Sequence, residues 1–422
     1  MQALIVAALV ASTAAAHSIP LVERAASSSS YPPVGQKGPT PKAEWVATYN
    51  AAKAAGKIPS FAPSTLVNGQ PAYAKGVNTG KNGVCSWSVS HCFGDNDIYE
   101  APDGMYAISF DDGPLPSSPP LYKFLQSQNQ TATHFFIGTN ILQNQDVFKQ
   151  ALASGGQIGV HTWTHPYMTT LTDMQILGEL GWTAQVIYDL SGFAPAWWRP
   201  PYGDTDDRVR AIAEQVFGLK LASWDRDSSD WCLNEAGGSS CVGSGPSSQA
   251  DLEAELRGWQ VGTKSPGVLA LEHELTSHSV GAFINTYAGI KQHGWDPRCV
   301  PDLNGEVWYQ NAQRNEQPRG TVAIGSGSFN VGNVAAASSA SSAPASSASS
   351  ASSSSAANLT STAVSSVYTT TRLPTPTSYG QTVTAQPQVV SASPSTTNAG
   401  GRSFQLEGGL VAFFLGTAAF LA

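Results

Sequence analysis

The sequence predicts an α/β fold built on a parallel sheet. Three observations support this: short apolar runs typical of buried strands, intervening stretches of helical length, and polar clusters directly after several of the runs. The apolar runs lie near 105–110, 132–137, 157–160, 196–198, 220–224 and 267–271, and the helical stretches span 141–154, 172–190, 206–217 and 249–261. This alternation is typical of a parallel barrel or of a doubly wound sheet, and the periodicity leaves both open.

The first polar cluster places two carboxylates side by side. Asp111 and Asp112 end an apolar run and precede the turn Gly113-Pro114. Adjacent like charges are costly unless their roles differ, and a bound cation that takes one carboxylate while the other stays free as a base separates those roles. The pair therefore predicts a metal site.

Two histidines supply further candidate ligands. His161 and His165 follow the apolar run 157–160, and imidazoles four residues apart can face one point. With one carboxylate they make three protein ligands and leave a position open for water, which is the catalytic rather than the structural pattern for zinc. The spacing alone is a weak signal, and two unrelated surface histidines are the alternative.

Three more polar clusters follow apolar runs. The first is the segment Arg-Pro-Pro-Tyr-Gly-Asp at 199–204, and the second is Asp-Ser-Ser-Asp-Trp at 227–231. The third is His273, which follows a strand-like run. Period-two alternation puts Leu269, Leu271 and His273 on one face of that strand. We therefore expect His273 to point inward.

In this order the clusters resemble the five-motif signature of the carbohydrate esterase family 4 polysaccharide deacetylases, which share the NodB homology domain. Within that family the pattern is most similar to that of fungal chitin deacetylases. The resemblance covers about residues 100–300. The departures are Ser109 where Thr is commoner, Thr162 where Ser is common, and Glu274 where Asp is frequent. The resemblance implies a distorted (β/α) barrel.

The same resemblance implies a role for each motif residue in the first half of the site. Asp112, His161 and His165 would bind a divalent metal, Zn²⁺ or Co²⁺, and Asp111 would be the general base. Arg199 would hold that base in its ionised form. The chemistry agrees, because a divalent metal lowers the pKa of a water towards about 7, and a nearby carboxylate can then take its proton.

The resemblance assigns the second half of the site to proton delivery and substrate binding. His273 would be the general acid that protonates the departing nitrogen, and Asp230 would orient it and favour its protonated form. The backbone N–H of Tyr202 would stabilise the oxyanion, and Tyr202 would also contact the substrate. Trp231 and Leu271 would line a small apolar slot for the acetyl methyl group.

The ends of the chain predict secretion and membrane attachment. Residues 1–16 hold a short apolar run that ends in an A-x-A site, as in a cleaved secretory signal. Residues 326–398 are rich in Ser, Ala, Thr and Pro, which predicts a disordered stalk. Residues 399–422 match the order of a GPI-anchor signal, with Asn398 as the expected attachment site and Gly400 as the second choice.

Between these terminal segments we expect a folded region. We expect residues 17–100 to be an extension that packs on the barrel, with one helix between 42 and 57, and residues 101–325 to be the deacetylase domain. A C-terminal membrane span is the alternative to a GPI anchor, but the apolar tail 410–422 is short for a bilayer. The expected location is the outer face of the plasma membrane and the cell wall.

Five cysteines in a secreted chain predict disulfides and one thiol left over. Cys232 and Cys241 bracket a Gly-Ser loop beside the fourth motif and are the first expected pair. The resemblance to fungal relatives implies that Cys299 pairs with a cysteine before the first strand, which would be Cys85 or Cys92. The sequence does not decide between these two.

The sequence also indicates possible modifications and excludes one class of partner. Asn129 and Asn358 stand in N-glycosylation triplets. The formal net charge of -8 argues against nucleic acid as a partner. We expect a monomer that reaches the membrane only through its GPI anchor.

The sequence-based hypothesis is a metal-dependent deacetylase whose partner is chitin, as polymer or oligomer, and whose products are chitosan and acetate. One alternative keeps the chemistry but changes the substrate to acetylxylan, peptidoglycan or short chito-oligosaccharides, because loops shape the groove. The other is a catalytically silent wall protein that binds glycan in the barrel cleft, although the intact set of ligands and base argues against it.

Overall fold

The computed structural model describes residues 26–241, 243–316, 318 and 320–327. Its strands are β1 (Thr65–Val67), β2 (Gln70–Ala72), β3 (Met105–Ala107), β4 (Ser109–Asp111), β5 (Thr133–Phe136), β6 (Gln157–Val160), β7 (Trp197–Trp198), β8 (Lys220–Leu221), β9 (Arg226–Asp227), β10 (Val268–His273) and β11 (Asp296–Arg298). Its α-helices are α1 (Ala43–Ala54), α2 (Trp87–Ser90), α3 (Pro119–Ser127), α4 (Gly138–Gln143), α5 (Gln145–Ala153), α6 (Asp173–Ser191), α7 (Asp207–Phe217), α8 (Gln249–Gln260) and α9 (Ser277–Gln292). Within those residues, every helix is too short or too polar to cross a bilayer.

The main sheet is parallel and centres on β10. The first residues of β10 pair with β3 and its last residues with β4, so the segment 105–111 runs beside it as one interrupted strand. From β4 the sheet continues through β5, β6, β7 and β8. The chain then returns through β9, which pairs with β10 from the other side. The parallel sheet thus curves back on itself as a distorted barrel, in which β8 and β9 are joined by the chain and, among the described residues, not by a ladder. The predicted α/β fold class is confirmed.

Apolar side chains pack on both sides of the barrel wall. The largest cluster lies between the strands and the helices, where Phe110 of β4 meets Phe283 of α9 with ring centroids 4.9 Å apart. Smaller clusters fill the interior, among them Ala107 with Leu269. Ala270 belongs to the outer cluster and Leu269 to the inner one, so side chains of β10 alternate as strand geometry requires.

Most predicted helices lie where the sequence places them, but the stretch 141–154 is two helices rather than one. α4 begins earlier and ends at Gln143, and α5 begins at Gln145. Asn144 between them leaves the helical region, with φ near -129°. Its side-chain amide donates to the carbonyls of Pro114 and Asn140, which competes with helix continuation.

The N-terminal segment packs against the barrel helices. α1 buries Trp45, Tyr49 and Ala52, which recur every three or four residues on one face. The ring of Trp45 meets Phe217 of α7 at 5.7 Å, and its indole N–H donates to the carbonyl of Ile324 at 2.8 Å. The start and the end of the described chain are therefore joined.

Two disulfides are present, and one of them corrects an expectation. Cys232 is bonded to Cys241, as predicted. Cys85 is bonded to Cys92, not to Cys299, which is buried and has no disulfide partner in the part of the chain that the structure describes.

Topology explains the correction. Cys299 follows β11, where the next residue donates its N–H to Thr133 at the amino end of β5. The 85–92 loop instead lies on residues that follow the carboxyl end of β7, because Trp87 donates its backbone N–H to Thr205. The Cα atoms of Cys85 and Cys92 are 5.0 Å apart, a separation that suits a disulfide.

Candidate active site

The predicted site residues converge at the carboxyl edge of the barrel. Asp111 ends β4 and His273 ends β10, and these two residues are direct partners in the parallel ladder. His161 directly follows β6, Arg199 directly follows β7, and Asp230 begins a short 3-10 turn after β9. Parallel strands present their carboxyl ends on one side, so residues distant in sequence become neighbours here.

Three side chains form a cluster with the donor set of a metal site. One carboxylate oxygen of Asp112 lies 3.3 Å from Nε2 of His161 and 3.2 Å from Nε2 of His165. The three ligand atoms lie within 4.8 Å of one another. One carboxylate and two imidazoles are ligands suited to a divalent transition metal.

The orientation of the three groups fits a metal better than a hydrogen-bond network. Nδ1 of His161 donates to the carbonyl of Arg199 at 2.7 Å, which leaves the lone pair of Nε2 facing the cluster. Among the described residues, Oδ1 of Asp112 is buried without a hydrogen-bond partner. A buried acceptor without a donor is unfavourable in the apo protein, and a cation between these atoms would satisfy it.

Electrostatics favour the ligand forms of these groups. Burial raises the pKa of Asp112, but the surrounding histidines outweigh it and hold that pKa well below its usual range. Burial lowers the pKa of His165 to about 4, despite the attraction of Asp112. An ionised carboxylate and a neutral imidazole are the forms that bind metals.

One carboxylate oxygen of Asp111 is held by an arginine, and the other faces the cluster. Nη1 of Arg199 donates to Oδ1 of Asp111 at 2.8 Å, and both side chains are buried. Arg199 is fixed in turn by the carbonyls of Ala222 and Ser223 and by the hydroxyl of Ser109. The other oxygen of Asp111, Oδ2, lies 3.6 Å from Nε2 of His161, so it faces the cluster.

His273 is bound tightly to Asp230. Nδ1 of His273 lies 2.6 Å from Oδ1 of Asp230, and the backbone N–H of His273 donates to Oδ2 at 2.8 Å. Burial lowers the pKa of His273, but the attraction of Asp230 outweighs it and raises the pKa to about 10. The imidazole is therefore protonated at neutral pH, and its Nε2–H is left to face the site.

The residues expected to contact substrate occupy the same edge. The ring of Tyr202 meets the ring of His165 at 4.6 Å and stacks on Tyr167 at 4.2 Å. Leu271 is buried in β10 two positions before His273, on the same side of the strand. Trp231 is half-buried in the turn that begins at Asp230.

Left-handed backbone is concentrated at this edge. Asp112, Thr162, His165, Tyr202 and Ser229 all have φ between 51° and 70°. For a non-glycine residue such a conformation costs about 1–3 kcal/mol and persists where surrounding contacts enforce it. These turns redirect the chain directly after the strands, which lets ligand residues face back into the site.

Glu179 is a residue that sequence reasoning missed. It lies on the buried face of α6, and its carboxylate accepts hydrogen bonds from the backbone N–H groups of Trp163 and Thr164, each at 2.8 Å. These two residues lie between the ligands His161 and His165, so Glu179 fixes the loop that carries both. A carboxylate among the apolar positions of a helix was the available signal.

A second missed feature is a buried hydrogen-bond network around Glu274. Glu274 contacts Nδ1 of His134 and the hydroxyl of Tyr122, each at 2.5 Å, and its backbone N–H donates to the carbonyl of Asp111. His134 is fully buried on β5. The network therefore connects β5 and α3 to the residue that follows His273.

Of the two glycosylation candidates and the expected anchor site, the structure describes only the first glycosylation candidate. Asn129 is exposed in the turn after α3, away from the strand ends. Asn358 and Asn398 lie outside the described residues, as do the predicted signal segment and nearly all of the predicted stalk.

Comparison with known proteins gives a consistent result. The family profile described as polysaccharide deacetylase matches residues 99–220. Chitin deacetylase 3 of Cryptococcus neoformans is 40% identical over 260 residues, which cover 61% of this chain and 62% of that protein. Chitin deacetylase 2 of Saccharomyces cerevisiae is 29% identical over 268 residues, covering 62% and 77%.

Among solved structures, the chitin deacetylase of Colletotrichum lindemuthianum is 20% identical, with a TM-score of 0.45 and coverage of 52% of this chain and 96% of that one. The matched region spans about three fifths of the Cryptococcus protein. The sequence similarity therefore lies in the domain that carries the site. Over that domain, the chain is similar to polysaccharide deacetylases.

Proposed function

We propose that this protein is a metal-dependent hydrolase that removes N-acetyl groups from chitin and yields chitosan and acetate. One observation carries the proposal. At one edge of the barrel, a buried Asp-His-His cluster is accompanied by a carboxylate held by an arginine and an imidazolium held by a carboxylate. A base and an acid on either side of a metal site are what hydrolysis of an unactivated amide requires.

Asp112, His161 and His165 would hold the metal, and Zn²⁺ or Co²⁺ suits their donor atoms. When bound, the metal would polarise the acetyl carbonyl and lower the pKa of a water. All other steps use groups of the chain itself. Ionised Asp111, paired with Arg199, takes a proton from the attacking water.

Attack forms a tetrahedral centre at the carbonyl carbon, with negative charge on the former carbonyl oxygen. The backbone N–H of Tyr202 would donate to that oxygen, since Tyr202 lies against His165. His273 then gives its Nε2 proton to the sugar nitrogen, the C–N bond breaks, and acetate and the free amine leave. Asp230 keeps His273 protonated until that step.

Substrate choice rests on two supports. The similar fungal proteins are named chitin deacetylases. In addition, Leu271 and Trp231 lie beside the acid pair and could enclose a methyl group, which would favour acetyl over larger acyl groups.

The direct test is acetate release from chitin oligomers and polymer, with and without a chelator and with zinc or cobalt added back. We expect release that the chelator abolishes and the metal restores. Release only from acetylxylan or peptidoglycan would keep the site assignments and overturn the substrate. If no substrate yields acetate, zinc titration of stripped protein decides whether any metal site exists, and absence of stoichiometric binding would reject the metalloenzyme.

We further propose that the protein is secreted as a monomer and attached through a GPI anchor at Asn398, with residues 326–398 as the stalk. The two disulfides support an oxidising location. Treatment of intact cells with a phosphatidylinositol-specific phospholipase should release the protein. Retention after this treatment, together with an unshortened C-terminus by mass spectrometry, would contradict the anchor.

A further inference from the structure

The loop closed by the Cys85–Cys92 disulfide, here called the disulfide loop (residues 85–92), is fixed on the rim of the active site. It contains the short helix α2. The side chain of Ser88 donates to Asp204 at 2.6 Å, and Arg210 donates to the carbonyls of Cys85 and Cys92. These contacts attach the loop to the turn that carries Tyr202 and to the first turns of α7.

Trp87 of this loop lies over the turn that follows β7. Its ring is so close to the α-carbon of Gly203 that a Cβ added there would be 2.3 Å from the ring. Gly203 has φ near 67° and directly follows Tyr202. Only glycine permits both this backbone conformation and this close approach.

Trp87 also packs against a second tryptophan at the barrel edge. Its ring centroid lies 4.9 Å from that of Trp224, and Trp224 in turn lies 5.8 Å from the guanidinium of Arg199. Because Arg199 holds Asp111, Trp87 is separated from the candidate base by only two side chains. The disulfide loop thus forms one wall beside the reacting centre.

This wall has the properties of a binding surface rather than of core. Trp87 and Trp224 are half-buried, whereas tryptophans of the core such as Trp163, Trp197 and Trp198 are fully buried. Aromatic faces at the edge of a cleft suit ligands that have apolar faces.

We propose that Trp87, supported by Trp224, is a platform for a pyranose ring of the glycan chain, next to the sugar that is deacetylated. The inference rests on the proposed function, because it takes a chitin chain as the ligand. A β-linked N-acetylglucosamine ring presents axial C–H bonds on its faces, which pack on an aromatic ring, and hydroxyl groups at its edge. The disulfide keeps this platform in place before substrate arrives.

The test is calorimetric binding of chitopentaose to full-length protein that carries Asp111→Asn, so that substrate is not consumed. In that background we compare Trp87→Leu, which keeps apolar volume against Gly203, with Trp87→Phe, which keeps an aromatic face. We expect Kd to rise about tenfold for leucine and less than about threefold for phenylalanine. Val89→Ala, at an exposed position of the same loop, is the matched control and should leave Kd unchanged.

The steady-state parameters provide a second measurement with Asp111 intact. Trp87→Leu should raise KM for chitopentaose with little change in kcat, and zinc binding should match that of wild type. Equal Kd values for Trp87→Leu and wild type would overturn the platform, as would a loss of zinc binding, because the ring would then only brace the site. Wild-type binding of chitopentaose without acetate release would instead reject the proposed reaction and leave the platform standing.

Discussion

Replacing Asp230 with asparagine should move the alkaline limit of activity. The two carboxylate oxygens of Asp230 accept from Nδ1 and from the backbone N–H of His273 at 2.6 and 2.8 Å. The Asp230→Asn change keeps the size of the side chain and removes its charge. His273 thereby loses the carboxylate that favours its protonated form.

The magnitude follows from the pKa of His273. Burial lowers this pKa, and Asp230, with further contributions from Asp112 and Asp111, raises it from 6.5 to about 10. Because Asp230 is in direct contact, its neutralisation should lower the pKa of His273 by at least about 2, which corresponds to about 3 kcal/mol. The apparent pKa of the alkaline limb in the pH profile of kcat/KM should fall by the same number of pH units.

Linkage fixes the direction of the change in stability. The pKa of His273 is raised on folding, so its stabilisation is fully present below pH 6.5 and is lost as pH rises through about 10. The free energy of unfolding of the variant should therefore be lower than that of wild type at neutral pH. The difference should shrink above about pH 10, where wild-type His273 is also neutral.

Two measurements check this reasoning. One is acetate release from chitopentaose across the pH range, and the other is urea unfolding at neutral and at alkaline pH. Zinc affinity should be unchanged, because Asp230 is outside the Asp-His-His cluster. An alkaline limb that coincides with that of wild type, with zinc affinity intact, would refute the role of His273 as the acid controlled by Asp230.

Other substitutions separate the remaining roles. Asp111→Asn should bind zinc stoichiometrically and release no acetate, whereas His161→Ala should raise the Kd for zinc by more than about a hundredfold; equal zinc loss in both would contradict the division between base and ligand. Arg199→Met should lower the free energy of unfolding by about 3–5 kcal/mol, measured by urea titration, because it leaves a buried carboxylate unpaired; a difference below about 1 kcal/mol would argue that Asp111 is neutral or solvated. Glu179→Gln should weaken zinc binding about tenfold, because one carboxylate oxygen accepts from two backbone N–H groups and the other accepts from the backbone N–H of Gly38, so the amide NH₂ of glutamine would face a donor in either orientation; unchanged affinity would mean that the loop holds its own shape. Glu274→Gln should lower the free energy of unfolding by about 1–3 kcal/mol, measured by thermal or urea unfolding, while zinc stoichiometry is kept. An unchanged free energy of unfolding would show that the hydrogen-bond network around Glu274 does not stabilise the fold.

Local patterns were sufficient for most strands of the main sheet and for the positions of the motif residues, although β9 and β11 lie outside the predicted runs. Alternation in the run before His273 correctly placed that imidazole on the inner face with Leu269, because a strand buried on both sides still alternates its side chains. Polar residues directly after apolar runs marked the carboxyl edge of the barrel. Those signals depend only on neighbours in sequence, so the sequence contains them in full.

Local patterns did not predict contacts between residues that are distant in sequence. The error over Cys299 arose because its pairing was inferred from the resemblance to fungal relatives, whereas Cys85 and Cys92 of this chain are bonded to each other. Glu179 was missed for a related reason. Its partners lie in the loop that contains His161 and His165, and only the packing of α6 against that loop brings the carboxylate to their N–H groups.

The pairing of β10 with β4 has a consequence for how the protein acquires activity as it is made. The three cluster residues are all encoded in the first half of the domain, on or beside β4 and β6, whereas the acid His273 comes from β10 near its end. Contacts of such high sequence separation form late, after the cost of closing the long intervening loop has been met. A nascent chain can therefore gather its candidate metal ligands early, yet it lacks the candidate proton donor until β10 pairs with β4, so the complete site forms only late in folding.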